Sequence, residues 1–238
     1  MTARFRPQTP RDRLVLAVDT ADVAAARAVV DETAGTIGVY KIGLELIYAG
    51  GLDLVRDLVA GGERVFLDAK LLDIDNTVAG AIRSIVTLGV DMVTLHAYPK
   101  AMAAAAAARG AAPLALLGVT VLTSMDEADF ADAGYRGTVE ERVRARAAQA
   151  AAAGLDGIVC SPREIAAVRA AAGPDLLIVT PGVRPAGSAA GDQKRIATPA
   201  EAIRAGADLL VVGRPIVGAP DRREAARRIV DEIAGALG

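Results

Sequence analysis

The 238-residue sequence contains no tryptophan, and aromatic residues make up only 3% of it. A surface that stacks nucleobases in series needs aromatic faces, so binding of nucleic acid has little support. The formal net charge is -2 and no basic block occurs, whereas a phosphate-backbone partner calls for clustered lysine and arginine. The single cysteine, Cys160, excludes an internal disulfide. It stands in the apolar run Ile158-Val159-Cys160, where a small core hydrophobe is expected. The single histidine, His96, leaves no His and Cys set of the kind that holds zinc. It is expected to be a hydrogen-bonded residue at the end of a strand. No apolar stretch reaches the length of a membrane span without Gly, Pro or charge. The opening MTARFRPQTP lacks the apolar centre of a signal peptide. A soluble, cytoplasmic protein is the expectation.

What is present is aliphatic. Apolar residues make up 53% of the chain and charged residues 24%, enough for a sizeable core built from Ala, Val, Leu and Ile. Short β-branched runs recur at Leu14–Asp19, Val39–Gly43, Val65–Lys70, Met92–His96, Leu114–Leu122, Gly157–Ser161, Leu176–Pro181 and Leu209–Gly213. Apolar runs without alternation predict strands covered on both faces, as in a parallel sheet. Helical patterns lie between them: Asp22–Ala34, Leu44–Ala60, Thr77–Leu88, Thr138–Ala153, Pro162–Ala172 and Arg222–Ala236. The Ala tract Ala103–Ala108 also predicts a helix, alanine being the best helix former. Gly61, Gly89, Gly154 and Gly173 suit the left-handed residue that follows a helix. Eight β-α units in one chain of this length predict a single-domain (β/α)8 TIM barrel over residues 13–238, after a flexible extension over residues 1–12. A doubly wound sheet competes, but the first strand ends Val18-Asp19-Thr20 without the glycine-rich turn of that fold.

In a barrel, residues at the C-terminal strand ends form the active face. Here those ends carry Asp19, Lys41, Asp68, Lys70, His96, Thr123 and Ser124. The seventh strand runs into Thr180-Pro181-Gly182-Val183-Arg184-Pro185, and the eighth ends Val212-Gly213-Arg214-Pro215. Most of these groups are costly to bury unpaired; gathered at one rim they make a pocket. Barrels often bind phosphate with the loops after strands seven and eight. Those loops supply Arg184, Gln193, the backbone of Gly213 and the guanidinium of Arg214, with the segment Pro185–Arg195 expected to close over the ligand. No GxxxxGK[ST] loop occurs.

The stretch VFLDAKLLDIDNT, Val65 to Thr77, releases four charges after an apolar run. Asp68 and Lys70 are two apart, so on a strand they face one side. With Lys41 on the adjacent strand they make a plus-minus-plus row in which each partner favours the other's charged form. Such a row serves equally as a lattice that closes a barrel interior or as working groups.

Asp68-Ala69-Lys70-Leu71-Leu72-Asp73-Ile74 resembles the DxKxxDI signature of the orotidine 5'-phosphate decarboxylases. The likeness runs from Leu14 to the last helix and includes YKIG, VTLHA, TVLTS, TPGVRP, GDQKR and LLVVGRPI in order. The resemblance implies a carboxy-lyase that converts orotidine 5'-monophosphate to uridine 5'-monophosphate in pyrimidine biosynthesis, with no metal and no organic cofactor. It implies Lys70 as proton donor, Asp68 beside the substrate carboxylate, and Lys41 on the ribose and on Asp68. Asp19 would bind ribose hydroxyls, and Thr123 and Ser124 the pyrimidine. Arg184, Gln193, Gly213 and Arg214 would hold the phosphate. Asp73 would join Lys70, Asp68 and Lys41 as a catalytic residue, Ile74 and Thr77 would complete the substrate-binding set, and Asp73 and Thr77 would reach the neighbouring site of a homodimer. Asp75 departs from the usual small residue or proline after DI, and is expected to face solvent. Two rivals share the barrel. The 3-keto-gulonate 6-phosphate decarboxylases and hexulose-phosphate synthases use magnesium and a Glu where this chain has Lys41. A non-catalytic nucleotide-binding barrel would keep the phosphate subsite and lose the charge array.

Overall fold

The computed structural model describes residues 4–185 and 197–238. The apolar runs become eight parallel strands that close into a barrel in chain order. They are β1 (Leu14–Ala17), β2 (Val39–Gly43), β3 (Val65–Leu71), β4 (Met92–His96), β5 (Ala115–Val119), β6 (Gly157–Val159), β7 (Leu177–Thr180) and β8 (Leu209–Val212). β8 returns to β1, with Leu14 beside Leu210 and Leu16 beside Val212, so closure leaves no unpaired edge. Most predicted strands were longer than observed. The extra residues, such as Val18-Asp19 and Thr120 to Leu122, are rim loops.

The helices fall between the strands: α1 (Val23–Thr33), α2 (Leu44–Leu46), α3 (Leu52–Ala60), α4 (Asp75–Leu88), α5 (Pro99–Arg109) and α6 (Glu127–Asp132) come first. α7 (Val139–Ala152), α8 (Ile165–Ala172), α9 (Pro199–Arg204), α10 (Arg214–Val217) and α11 (Arg222–Leu237) complete the outer layer. The single helix expected over Leu44–Ala60 is broken by a wide turn at Ile47–Gly51, where Gly50 takes φ 91°. That conformation is open to glycine and cannot continue a helix. Gly61 is not left-handed, as its sequence position suggested: its φ is -75°, and Gly62 makes the turn at φ 80°.

The strands are covered on both faces. Val15, Ala17, Val39, Phe66, Met92, Ala115, Leu117, Val179, Leu209 and Val211 fill the barrel interior. Leu14, Leu16, Tyr40, Ile42, Leu116 and Leu210 face the helices. This double burial is why the strand sequences do not alternate. Cys160 is fully buried in the outer layer.

Arg4–Asp12, read from sequence as a flexible extension, makes contacts at the N-terminal end of the barrel. Phe5 packs into the inner core, beneath the Arg64 guanidinium at 4.9 Å. Asp12 is buried and accepts from the backbone of Gln8 and Thr9 and from Arg64. At the same end, Asp156 accepts from Arg109, from Arg4 at 2.9 Å and from the backbone N–H of Leu116 at 2.9 Å.

Candidate active site

The opposite, C-terminal end of the barrel holds a cavity of about 740 Å³. Its floor is the top of the inner core, at Ala17, Phe66 and Val211. Its walls include Asp19, Lys41, Asp68, Lys70, Thr123, Ser124, Arg184, Gly213 and Arg214. Nine of the residues expected from sequence therefore meet in one space, although they come from six different strand ends and loops.

On one side the charges are interlocked. Lys41, 8% exposed at its side chain, places Nζ 3.0 Å from Oδ1 of Asp19 and 3.5 Å from Oδ2 of Asp68. Lys70 places Nζ 2.8 Å from the same Asp68 oxygen. The other Asp68 oxygen, Oδ1, accepts from the Thr94 hydroxyl at 2.8 Å. Burial alone pushes the Asp68 carboxyl up, but the charges of Lys41 and Lys70, with hydrogen bonds from Lys70 and Thr94, outweigh it and hold the group below its ordinary value. Asp68 is thus ionised, with a cation on either side.

The strand that carries this pair is not regular. β3 and β4 pair at Leu67–Val93 and next at Leu71–Leu95, with a shift between. Lys70 has φ 47°, the sole non-glycine residue with positive φ among the described residues. The left-handed conformation costs a residue with a Cβ about 1–2 kcal/mol, and such outliers cluster at functional sites. The expectation that Asp68 and Lys70 share a face through strand alternation gave the right meeting by an incomplete route. The bulge and the turn at Lys70 bring the ammonium onto the carboxylate.

Across the cavity stand the arginines. The two ends of the loop after β7 are pinned together by a bridge between Val183 and Ala197, and Arg184 N–H donates to the Ala197 carbonyl at 2.9 Å. The Arg184 guanidinium donates to the Val183 carbonyl at 2.9 Å. Arg214 opens α10 directly after β8. Gly213 lies close to the first strand: an added Cβ would stand 3.3 Å from Cβ of Ala17. Gln193 and most of the segment Pro185–Arg195 lie outside the described residues.

Three expected site residues are not in this cavity. Asp73, Ile74 and Thr77 are exposed on the rim beside it, where Asp73 accepts from the backbone N–H of Ile74 at 2.6 Å. Ile74 is 72% exposed and Leu72 50%. Asp75 is exposed in the first turn of α4, where a negative charge meets the positive end of the helix dipole. His96 ends β4, half-buried. Burial, then the charges of Lys70 and Arg146, lower its pKa and favour the neutral ring. The His96 carbonyl accepts from the backbone N–H of Tyr98 at 2.7 Å, but its ring makes no hydrogen bond with a described residue.

One residue at the array escaped the sequence reading. Thr94 is fully buried and touches Asp68 and the Lys70 backbone. The signal was faint: a hydroxyl between Val93 and Leu95, at the strand position two before His96.

The chain matches the model of the family described as "Orotidine 5'-phosphate decarboxylase / HUMPS family" over residues 12–229. It is 57% identical over 228 residues to the orotidine 5'-phosphate decarboxylase of Rhodopseudomonas palustris strain ATCC BAA-98 / CGA009, covering 96% of each chain. It is 56% identical over 230 residues to that of strain BisA53, covering 97% of this chain and 98% of the relative. The crystal structure of orotidine 5'-phosphate decarboxylase from Lactobacillus acidophilus superposes with a TM-score of 0.82 at 31% identity, covering 96% of this chain and 99% of that one.

Proposed function

The chain belongs to the orotidine 5'-phosphate decarboxylase / HUMPS family, and from that premise we propose how its residues carry out the reaction. The activity is decarboxylation of orotidine 5'-monophosphate to uridine 5'-monophosphate, a carboxy-lyase step of pyrimidine biosynthesis. The observation that carries the assignment of roles is the Lys41–Asp68–Lys70 array opposite Arg184 and Arg214 in one cavity.

The phosphate lies at Gly213 and the guanidinium of Arg214, with Arg184 and Gln193 from the loop after β7. Planar guanidinium forks suit phosphate oxygens. This grip is remote from the reacting carbon, so its binding energy is available to order the site and the loop over it. Asp19 takes the ribose hydroxyls, and Lys41 contacts the ribose while holding Asp68. Thr123 and Ser124 face the pyrimidine.

At the reacting centre the bond from C6 to the carboxylate carbon breaks, and its electron pair stays on C6. The Lys70 ammonium stabilises that developing anion as it forms. It then gives one proton to C6, so carbon dioxide leaves and the lysine is left neutral until solvent reprotonates it. Asp68 lies beside the substrate carboxylate and keeps the ammonium aimed. The reaction needs neither metal nor organic cofactor. Support comes from Lys41: an ammonium, not a carboxylate ligand, stands between Asp19 and Asp68.

The active unit is a homodimer in which Asp73 and Thr77 enter the partner's site. Their exposure beside Leu72 and Ile74, two large apolar side chains on the same rim, supports this. The partners are thus a nucleotide and a second copy of the chain, not nucleic acid or membrane. Among the described residues no helix is long and apolar enough to cross a membrane. A charged nucleotide substrate suits the cytoplasm.

The test is the ultraviolet change when the protein meets orotidine 5'-monophosphate, with and without a chelator. Turnover is expected to be insensitive to the chelator and to fall by about 10³-fold or more in Lys70→Ala. A magnesium requirement would move the protein to the sugar-phosphate branch of the family. Binding of uridine monophosphate without turnover would make it a nucleotide-binding barrel.

A further inference from the structure

We propose that Thr94 is a positioning residue of this site, whose single hydroxyl sets both the Asp68 carboxylate and the backbone turn that aims Lys70. The inference rests on the decarboxylase reading and deepens it. β3 and β4 are in register at Phe66–Met92 and Leu67–Val93, and again at Leu71–Leu95. Asp68, Ala69 and Lys70 therefore stand against Thr94 alone. Extra residues in one strand break the ladder and leave backbone groups without their partners. Here the Lys70 N–H loses its ladder partner and donates to Thr94 Oγ1 at 3.0 Å.

A threonine hydroxyl has one proton to give and lone pairs to receive. Because Oγ1 receives the Lys70 N–H, its own proton points elsewhere, and it lies 2.8 Å from Asp68 Oδ1. That divides the carboxylate. Oδ1 is held by Thr94, while Oδ2 faces the ammonium groups of Lys70 and Lys41. Thr94 is fully buried, so solvent has no access to replace the hydroxyl. The residue thus joins the two reactive side chains of β3 through the neighbouring strand, β4. It holds Lys70 in the left-handed conformation at φ 47°, and it leaves one defined carboxylate oxygen for the lysines.

The test compares Thr94→Val, which keeps the shape and removes the hydroxyl, with Thr94→Ser, which keeps the hydroxyl. Thr94→Ala is the second hydroxyl-free variant. For each, kcat and KM for orotidine 5'-monophosphate and the affinity for uridine monophosphate are measured beside wild type. We expect kcat of the Val and Ala variants to fall by on the order of 10²-fold, the scale of a small misplacement of reacting groups. Uridine monophosphate affinity should stay within about threefold, and Ser should restore kcat to within about fivefold of wild type. If Val does not fold, Ala against Ser decides by the same criterion. A kcat in the hydroxyl-free variants equal to that of wild type, a Ser variant as slow as Val, or a loss confined to KM overturns the proposal alone. A wild-type protein without turnover overturns the decarboxylase reading and this inference with it.

Discussion

The Lys70 ammonium lies 2.8 Å from Oδ2 of Asp68, although the strand between them is bulged and Lys70 itself is left-handed. The pair is partly shielded: the Asp68 side chain is 14% exposed and that of Lys70 30%. A contact made against backbone preference has to be over-determined by its surroundings. Here Lys41 and Thr94 supply that support.

The pH dependence of stability follows from this pair. Burial raises the Asp68 carboxyl, but Lys41, Lys70 and Thr94 more than offset it, so the folded pKa is depressed. A depressed carboxylate stabilises the fold above its unfolded pKa, and the contribution is lost as pH falls through the folded value. Wild type should therefore exceed Asp68→Asn in stability at neutral pH, and the gap should narrow below the usual carboxylate range. Urea unfolding of both proteins across pH reads this out. A gap constant down to about pH 3 would count against an ionised Asp68.

Arg214 is expected to act on binding. Arg214→Ala should raise KM for orotidine 5'-monophosphate by about 10–100-fold, the worth of one charge-assisted hydrogen bond or more. Slow turnover of the phosphate-free nucleoside should be unaffected. Steady-state kinetics on both substrates check this, and equal damage to both would remove Arg214 from the phosphate.

The proposed sharing of Asp73 between subunits gives a sharper prediction. Lys70→Ala and Asp73→Asn should each be nearly inactive. When the two are mixed and their subunits exchanged, half of the dimers are hybrid, and each hybrid carries one intact site of two. Activity should recover to about a quarter of wild type. No recovery despite exchange shown by mass spectrometry would place Asp73 outside the partner's site.

The other end of the barrel carries stability. Asp156 joins Arg109, Arg4 and the Leu116 N–H, and the Asp156 and Arg109 side chains are 8% and 6% exposed. Removing one partner of a buried pair leaves the other charge uncompensated, so Asp156→Ala should cost about 3–5 kcal/mol. Denaturant unfolding measures the loss. At temperatures where the variant stays folded, kcat should match wild type, because the cavity lies at the opposite rim.

How far the sequence carried depended on the range of the interactions. Gly50-Gly51 hid a break inside an otherwise helical pattern, and Gly61 and Gly62 exchanged roles, because adjacent glycines leave the turn undetermined until packing chooses. Asp68, Lys70 and Arg214 were legible because a polar residue after an apolar run must end at a surface, and a barrel has one surface where strand ends converge. Thr94 was not: a threonine inside a strand is ordinary until its neighbour is known.

By itself the sequence determined the barrel and the chemistry available at its rim. Uninterrupted apolar runs require strands buried on both faces, and parallel strands separated by helices satisfy that requirement. Only the tertiary structure decided how the charges meet. It placed Lys41 between two carboxylates, set three residues of β3 against one of β4, and turned Lys70 to positive φ. These relations lie between strands, where register depends on closure of the whole barrel, and no local pattern encodes the shift that brings a lysine and an aspartate together.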